Sequence, residues 1–234
     1  DIEVLKKVAG SMAGAAMEAG VRIVAGDTKV VGAIDPGDPG LMINTSGTGF
    51  LNKGTRISPA EIKPGDTVIV SGNLGDHHAA IMGCRLSVEN SIVSDNAPLV
   101  DMISRLKETK ITIHAMRDVT RGGLATVLNE FSEACGCRIR LEEEKIPVSD
   151  EVGSFCGLLG LDPLYMGNEG KCVFILPKDC ADTALDVIRG SKYGGNAAII
   201  GCVTDDPAGV TIRTRIGGEK VVGPLCGEGL PRIC

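Results

Sequence analysis

The chain has 234 residues, a hydrophobic fraction of 43% and a formal net charge of −6 at pH 7. That length suits one large domain or two small ones, the acidic balance argues against a nucleic-acid surface, and no apolar stretch approaches the ~20 residues of a membrane-spanning helix. With no Trp, four Phe and two Tyr, the core has to be built from aliphatic side chains and Met, while 32 glycines without a fixed period mark turns and close backbone approaches.

In chain order, apolar residues at Val4, Leu5, Val8, Met12, Ala15 and Ala16 keep helical spacing and predict a helix from Ile2 to Ala19, stopped by Gly20. The chain opens on Asp1 inside this pattern, so it reads as processed or N-terminally shortened. Strands are expected at Val21–Val31 and Leu41–Phe50, separated by the turn chemistry of Asp35-Pro36-Gly37-Asp38-Pro39-Gly40. Pro64-Gly65-Asp66 then opens a second unit with a strand at Thr67–Ser71. Helices follow at Asp76–Leu86 and Pro98–Glu108, then a strand at Ile113–Met116 and a helix at Gly122–Cys135. Further strands are expected at Cys172–Pro177, Ala197–Val203 and Gly209–Thr214, with a helix at Cys180–Arg189. This irregular alternation predicts an α+β fold, a mixed α/β sandwich rather than a Rossmann sheet. The expected domains are 1–63, part of an N-terminal sheet domain, and 64–222, a C-terminal α/β domain, followed by an extended Gly- and Pro-rich tail at 223–234.

Nine cysteines are scattered with no CxxC pair and no zinc-type spacing, and Cys172 and Cys202 sit in apolar runs. They read as small buried hydrophobes of a reducing cytoplasm. Cys135-Gly136-Cys137 makes a poor chelate and reads as a helix end. Cys234 differs, because a thiol at the chain terminus has no packing role and can travel to a reagent or a partner.

The polar motifs each carry two readings. In Gly26-Asp27-Thr28-Lys29 the carboxylate suits a divalent cation and the lysine suits phosphate, yet outward alternation on a strand explains both equally. Arg117-Asp118-Val119-Thr120-Arg121-Gly122-Gly123 joins a strand to a helix, with Thr120 as the candidate N-cap. It is an anion pocket or a capped tight turn. Gly167-Asn168-Glu169-Gly170-Lys171 flanks a carboxylate with glycines just before a strand, as a general base or as a solvated turn residue. Gly72-Asn73-Leu74-Gly75-Asp76-His77-His78 reads as a glycine turn and helix cap, since adjacent histidines diverge on a helix. Glu142-Glu143-Glu144 reads as a solvated loop face.

Taken in order, GDTKVV, MINTSGTGF, VSGNLGDHHAAIM, RDVTRGGLATVLNE, GNEGK and the terminal PRIC resemble the HypE family of hydrogenase maturation factors (carbamoyl dehydratases) over essentially the whole chain. The interior motifs also occur, more loosely, in the superfamily of aminoimidazole ribonucleotide synthetase, selenophosphate synthetase and thiamine monophosphate kinase. The resemblance implies a fold of that type and a dimer. It implies ATP-dependent dehydration of a carbamoyl group carried on Cys234, with thiocyanate as the product and source of the cyanide ligands of [NiFe] hydrogenase. It also implies ATP and Mg²⁺ as cofactors, the carbamoyltransferase HypF as donor partner and the HypC–HypD scaffold as acceptor.

By that resemblance, Cys234, Glu169 and Lys29 are the catalytic candidates. Asp27, Thr28, Arg117, Asp118, Thr120 and Arg121 are nucleotide-site candidates, with Asp27 also the candidate for Mg²⁺. Segments that precede the first helix in the family are not among these 234 residues, so weak or absent ATP binding and a compromised dimer contact are expected. The alternatives are another ATP-using member of the superfamily and a non-catalytic, partner-binding fragment.

Overall fold

The computed structural model describes residues 2–30 and 41–225. The expectations that fall on Val31, on the Asp35–Gly40 turn and on Cys234 lie outside the described residues. The chain divides into two compact units between Thr55 and Arg56, earlier than the boundary at 63/64.

In the first unit, α1 (Ile2–Glu18) forms where the apolar spacing predicts it. Gly20, at φ 66°, ends it: the Val21 N–H donates to the Ala16 carbonyl at 3.0 Å. The two expected strands do not form: residues 21–30 and 41–50 carry no regular secondary structure. Their apolar side chains stand in solvent, with Val24 at 88% and Phe50 at 97% exposure. Alternating apolar residues become a strand only when a neighbouring ladder takes up their N–H and C=O groups, and 2–30 and 41–55 contain no such ladder.

The second unit is a seven-stranded sheet with helices on both faces. Its strands are β1 (Thr67–Val70), β2 (Ala115–Asp118), β3 (Cys137–Glu142), β4 (Cys172–Leu176), β5 (Ala198–Pro207), β6 (Gly209–Arg213) and β7 (Glu219–Val221). They lie in the order β2-β4-β1-β5-β3-β6-β7, antiparallel except for β3 beside β6. Its helices are α2 (Asp76–Leu86), α3 (Val100–Glu108), α4 (Gly123–Cys135), α5 (Asp150–Leu159) and α6 (Ala181–Arg189).

Strand alternation sorts the core. Val68, Val70, Val173 and Ile175 face α4, packing on Leu124, Leu128 and Phe131. Ile69, Phe174 and Leu176 face the other way, onto Met102 and Leu106 of α3 and Ala184 and Ile188 of α6. Each such fully buried side chain contributes roughly 1.5–3 kcal/mol. β1 and β4 are buried on both faces, which is why they read as unbroken apolar runs. A third cluster joins Ala79 and Met82 of α2 to Val152, Phe155 and Cys156 of α5 and to Met166.

Burial pushes the Cys172 thiol up to about 12 and the Cys156 thiol up to about 11, so both behave as apolar filler. Cys202 departs from the expectation and is exposed. β5 turns Ile200 and Val203 into the α4-side core and leaves Cys202 outward. At the far end Val222 is buried and the Gly223 carbonyl accepts from the Tyr165 hydroxyl at 3.0 Å. No described helix is long and apolar enough to cross a membrane.

Candidate active site

Three loops of the second unit meet at one buried asparagine. Asn168 is fully buried, and its Oδ1 accepts from the Gly75 N–H at 2.8 Å. Its Nδ2 donates to the carbonyls of Val119 at 3.2 Å and Met166 at 3.0 Å, and its own N–H donates to the Val119 carbonyl at 2.9 Å. A buried amide satisfied on every side costs little, whereas each lost partner leaves an unpaired polar group. Asn168 therefore ties the loop before α2, the loop after β2 and the loop before β4 together.

One residue on, Glu169 is exposed. Its backbone N–H donates to Asp95 Oδ1 at 3.0 Å. The other oxygen of Asp95 pairs with Lys171 Nζ at 3.1 Å, with side-chain exposures of only 3% and 9%. The Lys171 stem lies across Gly72, where an added Cβ would come within 3.0 Å of Lys171 Cε. Beside this pair a polar cavity of about 230 Å³ is lined by Asn73, Asp76, Lys171, Lys192, Tyr193 and Asn196, with Gly72 and Gly195. Burial pushes the Asp76 carboxyl above the ordinary aspartate range; the Lys171 charge opposes this, and the Asp95 charge adds to it. Behind the loop, His78 Nδ1 accepts from the Gly167 N–H at 3.4 Å, and Nε2 has no hydrogen-bond partner among the described residues. Burial, then the nearby His77 and Arg85, pushes His78 down to about 4, so it is neutral at pH 7.

The loop after β2 is built differently from its expectation. Thr120 is not the N-cap: Gly122 holds that position at φ 74°, with no side-chain cap, and the Thr120 carbonyl accepts from Gly123 N–H at 3.0 Å. The double glycine serves packing, because a Cβ on Gly123 (φ 63°) would lie 2.4 Å from the Leu164 carbonyl oxygen. Arg117 pairs with Glu130 of α4, while Asp118 and Arg121 are exposed. Val119, between them, brings this loop to Asn168.

In the first unit Asp27, Thr28 and Lys29 are exposed, with Lys29 Nζ 3.8 Å from Asp27 Oδ2. Sequence reasoning passed over Asp95, Asn168 and Lys171. Two of these lie inside the GNEGK motif, but Asp95 is 74 residues from Glu169 and carries no local signal.

Residues 63–213 match the family described as AIR synthase related protein, C-terminal domain. The carbamoyl dehydratase HypE of Rhodobacter capsulatus is 42% identical, with all of this chain aligned to 69% of its length. The chain belongs to the HypE family.

Solved HypE structures agree. The hydrogenase maturation protein HypE in complex with ATP superposes with a TM-score of 0.86 at 37% identity, over 100% of this chain and 71% of that one. A HypE–HypF complex gives 0.86 at 41% identity, over 96% and 73%. The thiamine monophosphate kinase of Aquifex aeolicus, at 24% identity and a TM-score of 0.52 over 72% and 55%, shares the fold alone. The fold is thus of the AIR synthase type that the HypE motifs imply.

For a HypE-family nucleotide, the cavity beside Lys171 has a suitable lining, since two lysines and two asparagines offer cationic and amide donors to phosphate oxygens. Among the described residues no three His, Cys, Asp or Glu side chains gather to hold a metal, and Asp27, the candidate for Mg²⁺, is an exposed carboxylate 3.8 Å from Lys29. No chemical step is assigned to that ion.

Proposed function

We infer that this chain acts in hydrogenase maturation as an ATP-dependent carbamoyl dehydratase. The observation that carries the reading is its 42% identity, along its whole length, to a carbamoyl dehydratase HypE. The substrate is a carbamoyl group on the thiol of Cys234, R–S–C(=O)–NH₂, and the product is the thiocyanate R–S–C≡N.

Amide resonance gives the C–N bond partial double-bond character and places negative charge on the oxygen, which is a poor leaving group and does not depart unaided. ATP, when bound, supplies the phosphoryl group that turns the oxygen into phosphate, and ADP is released. Both N–H protons and the phosphate must then leave for the triple bond to form. Glu169 is the base that takes a proton from the amide nitrogen: its backbone is pinned by Asp95 while its side chain remains exposed. Lys29, an exposed ammonium 3.8 Å from Asp27, balances charge at the phosphate or the amide oxygen. Lys171 and Lys192 offer cationic donors to the nucleotide phosphates. Of the other nucleotide-site candidates, Asp118, at the end of β2, and Arg121 keep exposed side chains, Thr120 lies between them, Arg117 is paired with Glu130, and Thr28 is exposed in the first unit.

HypF, which a solved relative binds, places the carbamoyl group on Cys234, and a HypC–HypD scaffold receives the cyanide. The working form is a homodimer in the cytoplasm. Intact-mass spectrometry after incubation with HypF, carbamoyl phosphate and ATP tests the reading, with Cys234→Ala as control. The expected result is an adduct on Cys234 one water lighter than a carbamoyl group, with none in Cys234→Ala. ATPase activity that survives in Cys234→Ala, without any adduct, would move the chain to a kinase or synthetase reading.

A further inference from the structure

The HypE-family reading needs a base, but it does not say what holds that base still. Glu169 sits in a loop without regular secondary structure, between Asn168 and the first residue of β4 at Cys172. Its main chain is tethered by the hydrogen bond from Glu169 N–H to Asp95 Oδ1, 3.0 Å long. Asp95 arrives from an irregular stretch between α2 and α3, and its side chain is 3% exposed.

A carboxylate taken that far out of water is destabilising unless both oxygens are occupied. Here Oδ1 accepts a hydrogen bond from the Glu169 amide, and Oδ2, which has no hydrogen-bond partner among the described residues, is compensated by the charge of the Lys171 ammonium at 3.1 Å. The two residues flanking Gly170 are thus gripped by the two oxygens of a single side chain.

Three further contacts make the grip rigid. A Cβ on Gly170 would lie 2.0 Å from the Asp95 carbonyl oxygen and 3.0 Å from Ala97 N, so the two main chains abut and only glycine fits. Ser94 Oγ accepts from Asn96 N–H at 3.2 Å and bonds His77 Nδ1 at 2.8 Å, which anchors the turn carrying Asp95 to α2. The Lys171 stem is confined over Gly72. Replacing such an ion pair with apolar groups of similar size is often neutral or better for stability, so stability alone does not account for a buried charge pair at this place.

We propose that Asp95 is the positioning residue of the Glu169 loop, fixing the main chain of the base with one oxygen and clamping Lys171 with the other. The proposal rests on the reading of Glu169 as the base. It acts through geometry, since a displacement of about 1 Å at a reacting group costs on the order of 100-fold in rate.

The test uses the full protein carbamoylated on Cys234 by HypF. Single-turnover dehydration is followed by intact mass at saturating ATP in Asp95→Ala, Asp95→Asn, Lys171→Met and Glu169→Gln. Asp95→Ala removes both grips, and the dehydration rate constant is expected to fall about 30- to 100-fold. Asp95→Asn keeps an acceptor for the Glu169 amide, and the fall is expected to be about 10-fold or less. Lys171→Met keeps the tether to Glu169 and is expected to lose less than Asp95→Ala. The extent of carbamoylation by HypF is expected to be unchanged in the two Asp95 variants, and saturating ATP separates any weakening of the Lys171 contact to nucleotide from the loss in rate.

Wild-type dehydration in both Asp95 variants, with Glu169→Gln inactive, would overturn the positioning role and leave the base in place. Wild-type dehydration in Glu169→Gln would remove the base, and the proposal with it. Equal losses in Lys171→Met and Asp95→Ala, accompanied by impaired carbamoylation, would reduce Asp95 to a stabilising residue and overturn the proposal. Asp95→Asn, which preserves shape, carries the comparison if Asp95→Ala does not fold.

Discussion

The loops before β4 and before α4 are both short, glycine-bearing and polar, and both meet at Asn168, yet they do opposite work. In the first, buried groups (Asn168, Asp95 and Lys171) hold an exposed Glu169 in place. In the second, Gly122 and Gly123 turn the chain and seat it against Leu164, and its arginine at position 117 is spent on Glu130. Glycine beside a charge therefore signals a site only when neighbouring polar groups fix the backbone and leave the charged side chain unengaged. Where the glycines themselves fill the contact, the same composition signals packing.

The largest effect expected from this contrast is on chemistry. Glu169→Gln should reduce dehydration of carbamoylated Cys234 by about 10²- to 10⁴-fold, the usual contribution of a positioned base, with stability unchanged in urea denaturation. Unimpaired dehydration would break the comparison at its root. In the packing loop the large effect is on stability. Gly123→Ala combines a left-handed backbone with a clash against the Leu164 carbonyl, and should lose about 3–5 kcal/mol in the same urea titration. A loss below about 1 kcal/mol would mean that the turn relaxes freely.

A smaller effect comes from His78, which supports the first loop from behind. Its native pKa of about 4 lies below the ordinary value of 6.5, so the unfolded chain binds the proton more readily. Stability from this group is complete above about pH 6.5 and falls as pH drops towards 4, by roughly 2–3 kcal/mol across the window. His78→Gln should flatten that part of the pH–stability curve, and a slope that persists would assign it to other groups. Smallest is Arg117→Ala. Its half-exposed pair with Glu130 should contribute no more than about 1 kcal/mol. Dehydration is expected to stay within about threefold of wild type, and a 100-fold loss would place Arg117 on the nucleotide instead.

Much of the second unit was legible in advance, and the reasons are local. The helix at Asp76–Leu86 was expected at those bounds and occurs at them, because a glycine start and an apolar stripe are written into consecutive residues. α5 and β3 were not expected. The Ser149 cap, which accepts from Val152 N–H at 3.3 Å, and the alternation of Ile139 and Leu141 were present in the sequence but short, and the acidic run that follows β3 masked them. The segments at 21–30 and 41–50 show the converse: β-type alternation is necessary for a strand, but a strand also needs a ladder to join.

By itself the sequence determined the sites of turns, most helices and the buried strands of the second unit. It also determined family membership, through motifs written in short runs of consecutive residues. These are properties of neighbouring residues, set by backbone sterics and hydrophobic period. Only the tertiary structure decided which polar side chains are buried and which of them meet. Asp95 and Glu169 stand 74 positions apart, and a hydrogen bond between such residues depends on how the loops between strands close in space, for which no local pattern exists.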